Sequence, residues 1–383
     1  MRVPLSQPSL GPSERAAIER PLESGWVVQG PEVAAFEREF AAWVGAGSAI
    51  ATTSCTTALQ LGAQTLGLRQ GDEVVVPGFT WIASANAIEH AGGRVVFCDV
   101  SLETWNLDPR SLERALGPRT VGIVPVHLFG RLAPMEPVLA LARSHGLWVL
   151  EDAACALGAT RAGRHAGTFG DAGCWSFHPR KSITTGEGGM LAVAREGAEE
   201  AARSLRDHGV GGPAALRGQL PDYSRVGFNF RMTDLQAALG RAQLGRAEAL
   251  IARRRLLARR YREALSEVGW LRLPSEAPDG ETHGWQAFVV SVEVEPPRID
   301  ALDALTSRRD ALMFALADAG VETRPGTHAP PLLSAYRGRG TTPRSLPGAA
   351  IAQGISLALP LYPELGDDAQ AYVCEKVRAF APG

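Results

Sequence analysis

The feature that most limits how this chain can fold is an alternation, over residues 30–190, of short apolar runs with longer helix-patterned stretches. Runs at 72–76, 94–98, 121–126 and 147–150 are apolar and bounded by charged or turn residues. Runs of this kind suit strands buried on both faces, as in a mostly parallel sheet. Between such runs, PEVAAFEREFAAWVG at 31–45 sets Val33, Phe36, Phe40 and Val44 at helical spacing and stops on glycine. Residues 48–53 read as a strand that runs into a helix from Thr56. Recurrent β-α alternation predicts a layered α/β domain with a mostly parallel central sheet.

At 383 residues the chain is too long for one simple domain. We expect a large domain over 1–245, with an N-terminal arm, and a smaller C-terminal α/β domain over 246–383. The Ala-, Leu- and Arg-rich segment from Thr233 predicts a long linking helix broken at Gly240 or Gly245. Its arginines suit a solvated helix face better than an RNA-binding one. Strand-like AFVVSVEV, helix-like RRDALMFALADAG and a last helix near 367–380 follow, with the Pro/Gly-rich stretch 338–348 read as one loop.

Composition removes several function classes. A formal net charge of −2 announces neither a nucleic-acid nor an anionic-membrane partner. The five cysteines (Cys55, Cys98, Cys155, Cys174, Cys374) contain no C-x-x-C pair, which argues against a zinc ribbon or a disulfide framework. No metal site is expected, and free thiols fit a reducing cytoplasm. MRVPLSQPSLGPSER lacks the apolar core of a signal peptide, and no apolar run reaches the roughly 18 residues of a membrane span. A soluble cytoplasmic protein is the expectation.

Four clusters carry chemistry. Thr53 to Leu59 (TSCTTAL) stands at a strand-to-helix junction, where unpaired N–H groups and a positive dipole end bind phosphate; a plain N-cap is the simpler reading. Pro77-Gly78-Phe79-Thr80-Trp81 follows an apolar strand, so Trp81 can stack on a flat ring at the strand's carboxyl end or merely pack. Glu151-Asp152 closes another strand. A carboxylate there could hold a metal, act as acid or base, cap a helix, or keep a pyridinium nitrogen protonated. The run SFHPRKSITTGEGG puts Lys181 among hydroxyls and glycines, the setting of a nucleophilic lysine; it matches neither a P-loop nor G-x-G-x-x-G.

In this order the clusters resemble the DegT/DnrJ/EryC1/StrS group of fold-type I pyridoxal-phosphate (PLP) aminotransferases. The resemblance runs from GWVVQGPEVAAFEREFAAWVGA through SCTTAL, EDAA, SFHPRKSITTGEGGM and NFRMTDLQAALG to RPGTHAPPLL and LALPLYPEL. It implies that Lys181 forms the internal aldimine and shuttles a proton, and that Asp152 pairs with the pyridine nitrogen while Trp81 stacks on the ring. It further implies that Ser54, Cys55, Thr56 and Ser176 serve the phosphate, with Asn229 reaching it from a neighbouring subunit in a homodimer. Trp26, His178, Arg231 and His328 would face the substrate. Cys155 stands where many relatives carry Gln or His, a side chain that often touches the cofactor's phenolic oxygen, and Cys55 where glycine is frequent.

The implied reaction moves an amino group from glutamate or glutamine to a keto-sugar, nucleotide-linked in many relatives, or to a keto-cyclitol, by a ping-pong route. Arg231 and Arg324 are candidate cations for the donor. Two alternatives accompany it. One is a dehydrating or aromatising enzyme of the same group, of which the type with histidine in place of the lysine is disfavoured by Lys181. The other is a PLP-binding regulator, for which neither a DNA-binding module nor a basic surface is evident.

Overall fold

The computed structural model describes residues 1–195, 197–211, 220–338, 342 and 344–381. Seven strands form the central sheet: β1 (Ala49–Thr52), β2 (Glu73–Pro77), β3 (Arg94–Cys98), β4 (Thr120–Ile123), β5 (Trp148–Asp152), β6 (Ala172–Ser176) and β7 (Gly189–Val193). Their spatial order is β1-β7-β6-β5-β4-β2-β3. Pairs from β3 through β2, β4 and β5 to β6 are parallel, and only β7 runs against its neighbours. The expected mostly parallel sheet is therefore present, with the apolar runs as its strands.

Helices cover both faces: α1 (Pro12–Ser24), α2 (Pro31–Val44), α3 (Cys55–Thr65), α4 (Ala83–His90), α5 (Pro109–Ala115), α6 (Met135–His145) and α7 (Ala198–Arg206). Successive strand residues point to opposite faces, so each strand feeds two cores. Ile50, Val74, Val76, Leu150 and Leu191 pack with Leu59, Leu61 and Ile88 of α3 and α4. Ala49, Ala51, Met190 and Ala192 pack with Phe36 and Phe40 of α2. Burial of unbroken apolar runs on both sides is what replaces polar alternation in these strands.

The Arg-rich segment breaks at Gly245, the later of the two expected positions, into α8 (Asp234–Leu244) and α9 (Ala247–Leu265). Leu250 and Ile251 of α9 join the first part of the molecule, whereas Leu257, Tyr261 and Leu265 join a separate core around a second sheet. That sheet orders β8 (Leu271–Arg272), β9 (Phe288–Val292), β10 (Arg324–Pro325) and β11 (Ser356–Leu359) as β8-β9-β11-β10, all antiparallel. Helices α10 (Leu302–Asp318), α11 (Pro347–Ile355) and α12 (Asp367–Ala379) accompany it. Val3 packs in this second core and bonds to Gly320 and Glu322 through its backbone.

Two expectations are corrected. The loop expected over 338–348 ends early, because Pro347 opens α11, a position where proline needs no N–H partner; residues 339–341 and 343 of that stretch lie outside the described residues. The arginines of the linking helices are not a uniformly solvated face. Arg241 pairs with Glu32 and Glu39, Arg246 with Glu14, Arg253 with Asp367, and Arg254 is buried.

Candidate active site

The site lies beyond the carboxyl ends of β5 and β6, where open α/β sheets place their ligands. At the end of β5 two adjacent carboxylates point to opposite faces, as strand geometry demands. Glu151 is fully buried and saturated: its oxygens accept from the Gly167 and Gly170 amides and lie 2.7 Å from His127 Nε2. His127 Nδ1 accepts from the Ala133 amide, which leaves Nε2–H to donate to Glu151. Asp152 lies on the other face, with Leu150. Its Oδ2 accepts from Ser84 Oγ at 2.7 Å, in turn bonded to Thr80 Oγ1, and its Oδ1 accepts from the Ala154 amide. Asp152 lines the cavity; Glu151 does not.

The same face carries the start of α3. Ser54 and Thr57 form a reciprocal cap, in which Ser54 Oγ accepts from the Thr57 amide and Thr57 Oγ1 accepts from the Ser54 amide. The amides of Cys55 and Thr56, in the first turn, have no intrahelical acceptor and face a positive dipole end. Gly189 of β7 makes this approach possible, since a Cβ there would stand 2.4 Å from the Ser54 carbonyl carbon and oxygen. Burial first, then the charge of Asp152, pushes the Cys55 thiol well above its ordinary range, so it is an inert thiol.

Lys181 sits on the excursion between β6 and β7. Phe177 anchors this loop among Phe36 and Phe40, and its carbonyl accepts from Thr184 Oγ1 and from the Thr185 amide. From the far side, the buried Arg254 guanidinium donates to the Lys181 carbonyl and also to those of Gln286 and Leu361. Burial pushes Arg254 down to about 10, still charged at neutral pH. Lys181 Nζ donates to Cys155 Sγ at 3.1 Å.

One cavity of about 300 Å³ gathers Ser54, Cys55, Thr56, Trp81, Asp152, Cys155, Ser176, His178 and Lys181. Trp81 is about half exposed, 48%, at its rim, and His328 tilts against its ring at 5.4 Å without itself lining the cavity. Burial lowers His178 from the ordinary imidazole value; Glu187 opposes, and Arg180, Lys181 and Arg324 add to the lowering. Three other expected residues lie off the cavity wall. Asn229 is exposed. Trp26 is exposed, its indole donating to the Gln29 carbonyl. Arg231 is held by Asp207 at 2.5 Å. The loop 209–218, which the sequence offers beside His178 and His328 as a determinant of substrate choice, lies outside the described residues from 212 onward.

Sequence reasoning missed Ser84, Thr80, Arg180, Gln286 and Arg254. Thr80 and Arg180 stand inside the 77–81 and lysine clusters but carry no role there, and Ser84, Gln286 and Arg254 stand in no motif. The donor set fits PLP: free helix-start amides and hydroxyls for a phosphate, a buried carboxylate for a ring nitrogen, an amine for an aldehyde, and an indole for a flat ring. No group of His, Cys, Asp and Glu able to hold a metal ion occurs among the described residues. Nor is any described helix long and apolar enough to cross a membrane.

Comparison with known proteins agrees with this geometry. The sequence profile of the DegT/DnrJ/EryC1/StrS aminotransferase family matches residues 8–378. The spore coat polysaccharide biosynthesis protein SpsC of Bacillus subtilis (strain 168) is 37% identical over 386 aligned positions, which span 100% of this chain and 97% of that protein. Among solved structures, the aminotransferase TlmJ from Streptoalloteichus hindustanus superposes with a TM-score of 0.90 at 36% identity, covering 98% of each chain. DesV of S. venezuelae does so with a TM-score of 0.88 at 34% identity, again over 98% of each chain.

Proposed function

We propose that this chain, which belongs to the DegT/DnrJ/EryC1/StrS family of PLP-dependent aminotransferases, carries an amino group from glutamate or glutamine to a keto-sugar, nucleotide-linked, or to a keto-cyclitol. The observation that carries the reading is that Lys181, Asp152 and the first turn of α3 share one cavity. The spore-coat polysaccharide name of the Bacillus relative supports a sugar as acceptor. PLP, when bound, supplies an electron sink for the carbanion left at the amino acid's α-carbon.

The residues divide the remaining work. The Lys181 amine would anchor the cofactor and take up the proton released from the substrate carbon. Asp152, held by Ser84 and the Ala154 amide, keeps a positive charge on the ring nitrogen. The Cys55 and Thr56 amides, with the Ser54, Thr56 and Ser176 hydroxyls, hold the phosphate, and Trp81 covers one ring face. Cys155 offers a thiol beside the Lys181 amine. His178 and His328 meet the substrate.

The protein works as a cytoplasmic homodimer in which Asn229 and Arg231 serve the neighbouring cavity, with Trp26 at the same edge. Exposed apolar side chains nearby support this, Val28 at 61% and Val226 at 95% exposed.

The test is spectroscopic. The purified protein should show the visible band of lysine-bound cofactor, and glutamate or glutamine should bleach it. A keto-sugar or keto-cyclitol should then restore it. Lys181→Ala should lose both the band and all turnover. A wild-type band that no amino acid bleaches would remove amino transfer from consideration.

A further inference from the structure

The chain has only two lysines, Lys181 and Lys376, among its many arginines. Lys376, on α12, pairs with its neighbour Glu375 and lies over the Tyr372 ring. Lys181 lines the main cavity together with Cys155, and its Nζ stands 3.1 Å from Cys155 Sγ. Two reacting atoms held about 3–3.5 Å apart already form a near-attack pair. Cys155 also differs from every other cysteine of the chain. Cys55, Cys98, Cys174 and Cys374 are buried, and burial pushes each of those thiols above its ordinary range. Cys155 is only partly buried, on the wall of a cavity of about 300 Å³, ample for a solute of two heavy atoms. The Arg254 guanidinium holds the Lys181 carbonyl from behind, which keeps the amine where it meets the sulfur.

We propose that Cys155 and Lys181 form an oxidative cross-linking site, at which a small hydroperoxide joins Sγ to Nζ whenever the lysine amine carries no cofactor. The Cys155 thiolate attacks one oxygen of hydrogen peroxide and the O–O bond breaks. Sulfur is oxidised to the sulfenic acid, peroxide is reduced, and the departing hydroxide leaves as water with the thiol proton. The lone pair of the neutral Lys181 amine then attacks that sulfur. An S–N bond forms, the S–O bond breaks, and the second hydroxide takes an amine proton and leaves as water. The net change in the protein is one hydrogen lost from sulfur and one from nitrogen. Cys55 lines the same cavity and is the competing partner, but burial suppresses the thiolate it would need to close a disulfide. An amine bonded to sulfur cannot take an aldehyde, so the cross-linked protein cannot load PLP. Bound PLP occupies the amine and protects it, a consequence that rests on the cofactor reading above. Two equivalents of a small thiol reverse the link, one attacking sulfur and the other closing the disulfide that departs.

The experiment exposes full-length protein to hydrogen peroxide, both cofactor-loaded and stripped with hydroxylamine, and maps protease digests by mass spectrometry. The stripped protein should yield the Cys155 and Lys181 peptides joined and lighter by two hydrogens. It should also take up at least tenfold less PLP until dithiothreitol restores it. The loaded protein should yield at least tenfold less of the joined peptide, and Cys155→Ser should yield none. In Lys181→Arg the oxidised sulfur meets no amine. Dimedone, a trap for sulfenic acid, should therefore label Cys155 at least tenfold more in that variant than in stripped wild type. Should the variant fail to fold, the wild-type peptide map decides alone. Recovery of Cys155 as sulfinic acid, or joined to Cys55, with Lys181 unmodified overturns the proposal. If loaded protein joins the two residues as readily as stripped protein, the cross-link stands and the anchoring of PLP on Lys181 falls.

Discussion

The two sides of the central sheet at the end of β5 treat adjacent carboxylates in opposite ways. On one side Glu151 is sealed, with His127 and two glycine amides satisfying it completely. On the other, Asp152 keeps only Ser84 and one amide and turns to a cavity lined by Lys181. The lesson is that a fully satisfied buried carboxylate holds structure together, whereas one left with spare acceptor capacity at a cavity wall is available for a ligand.

The sharpest way to break this contrast is to neutralise each carboxylate in turn. Asp152→Asn should lower kcat/KM at least about 100-fold, the scale of removing one preorganised electrostatic group, with the melting temperature almost unchanged. Glu151→Gln should do the reverse. Its amide NH2 would face a backbone N–H that now donates, leaving buried donors unsatisfied at a cost of about 1–3 kcal/mol, read as a clear fall in melting temperature. If both variants lose activity alone, or stability alone, the division of labour is wrong.

A finer probe is Ser84→Ala, which deletes one donor to Asp152 and leaves the carboxylate in place. The expected cost is about 1 kcal/mol, or roughly a fivefold loss in kcat/KM, measured against Asp152→Asn. The smallest effect concerns pH. Because burial holds His178 below its ordinary value of 6.5, the folded state binds that proton less readily than the unfolded chain. Its contribution to stability is therefore full above pH 6.5 and is lost as pH falls towards the lowered folded value. The melting temperature of the wild type should drop more steeply below pH 6.5 than that of His178→Asn, and equal slopes would show that the ring does not feel the cavity.

Part of this site could be read directly from the chain. Lys181, Asp152 and the 54–56 turn stand in local blocks, because a loop lysine, a strand-end carboxylate and a helix start each need only a few consecutive residues. Ser84 lies 68 positions from Asp152, and Arg254 lies 73 from Lys181, so no local pattern could connect them. Arg254 also hides among the many arginines of α9, where its burial is not expected of so polar a residue. The meeting of Arg180 and Arg324 on one cavity wall is likewise invisible in sequence, since the two lie in segments that only the fold brings together.

The amino-acid order alone determined the β-α alternation and the place of four apolar runs and the 48–53 strand in a mostly parallel sheet, and it offered Lys181 as the candidate reactive lysine. These follow from short-range periodicity and from chemistry carried by neighbouring residues. Only the tertiary structure decided which of two adjacent carboxylates meets the cavity, which arginines line it and how Lys181 is held from behind. Strand geometry dictates that Glu151 and Asp152 part to opposite faces, but packing of α3 and α4 against one face is what turns that face into a site.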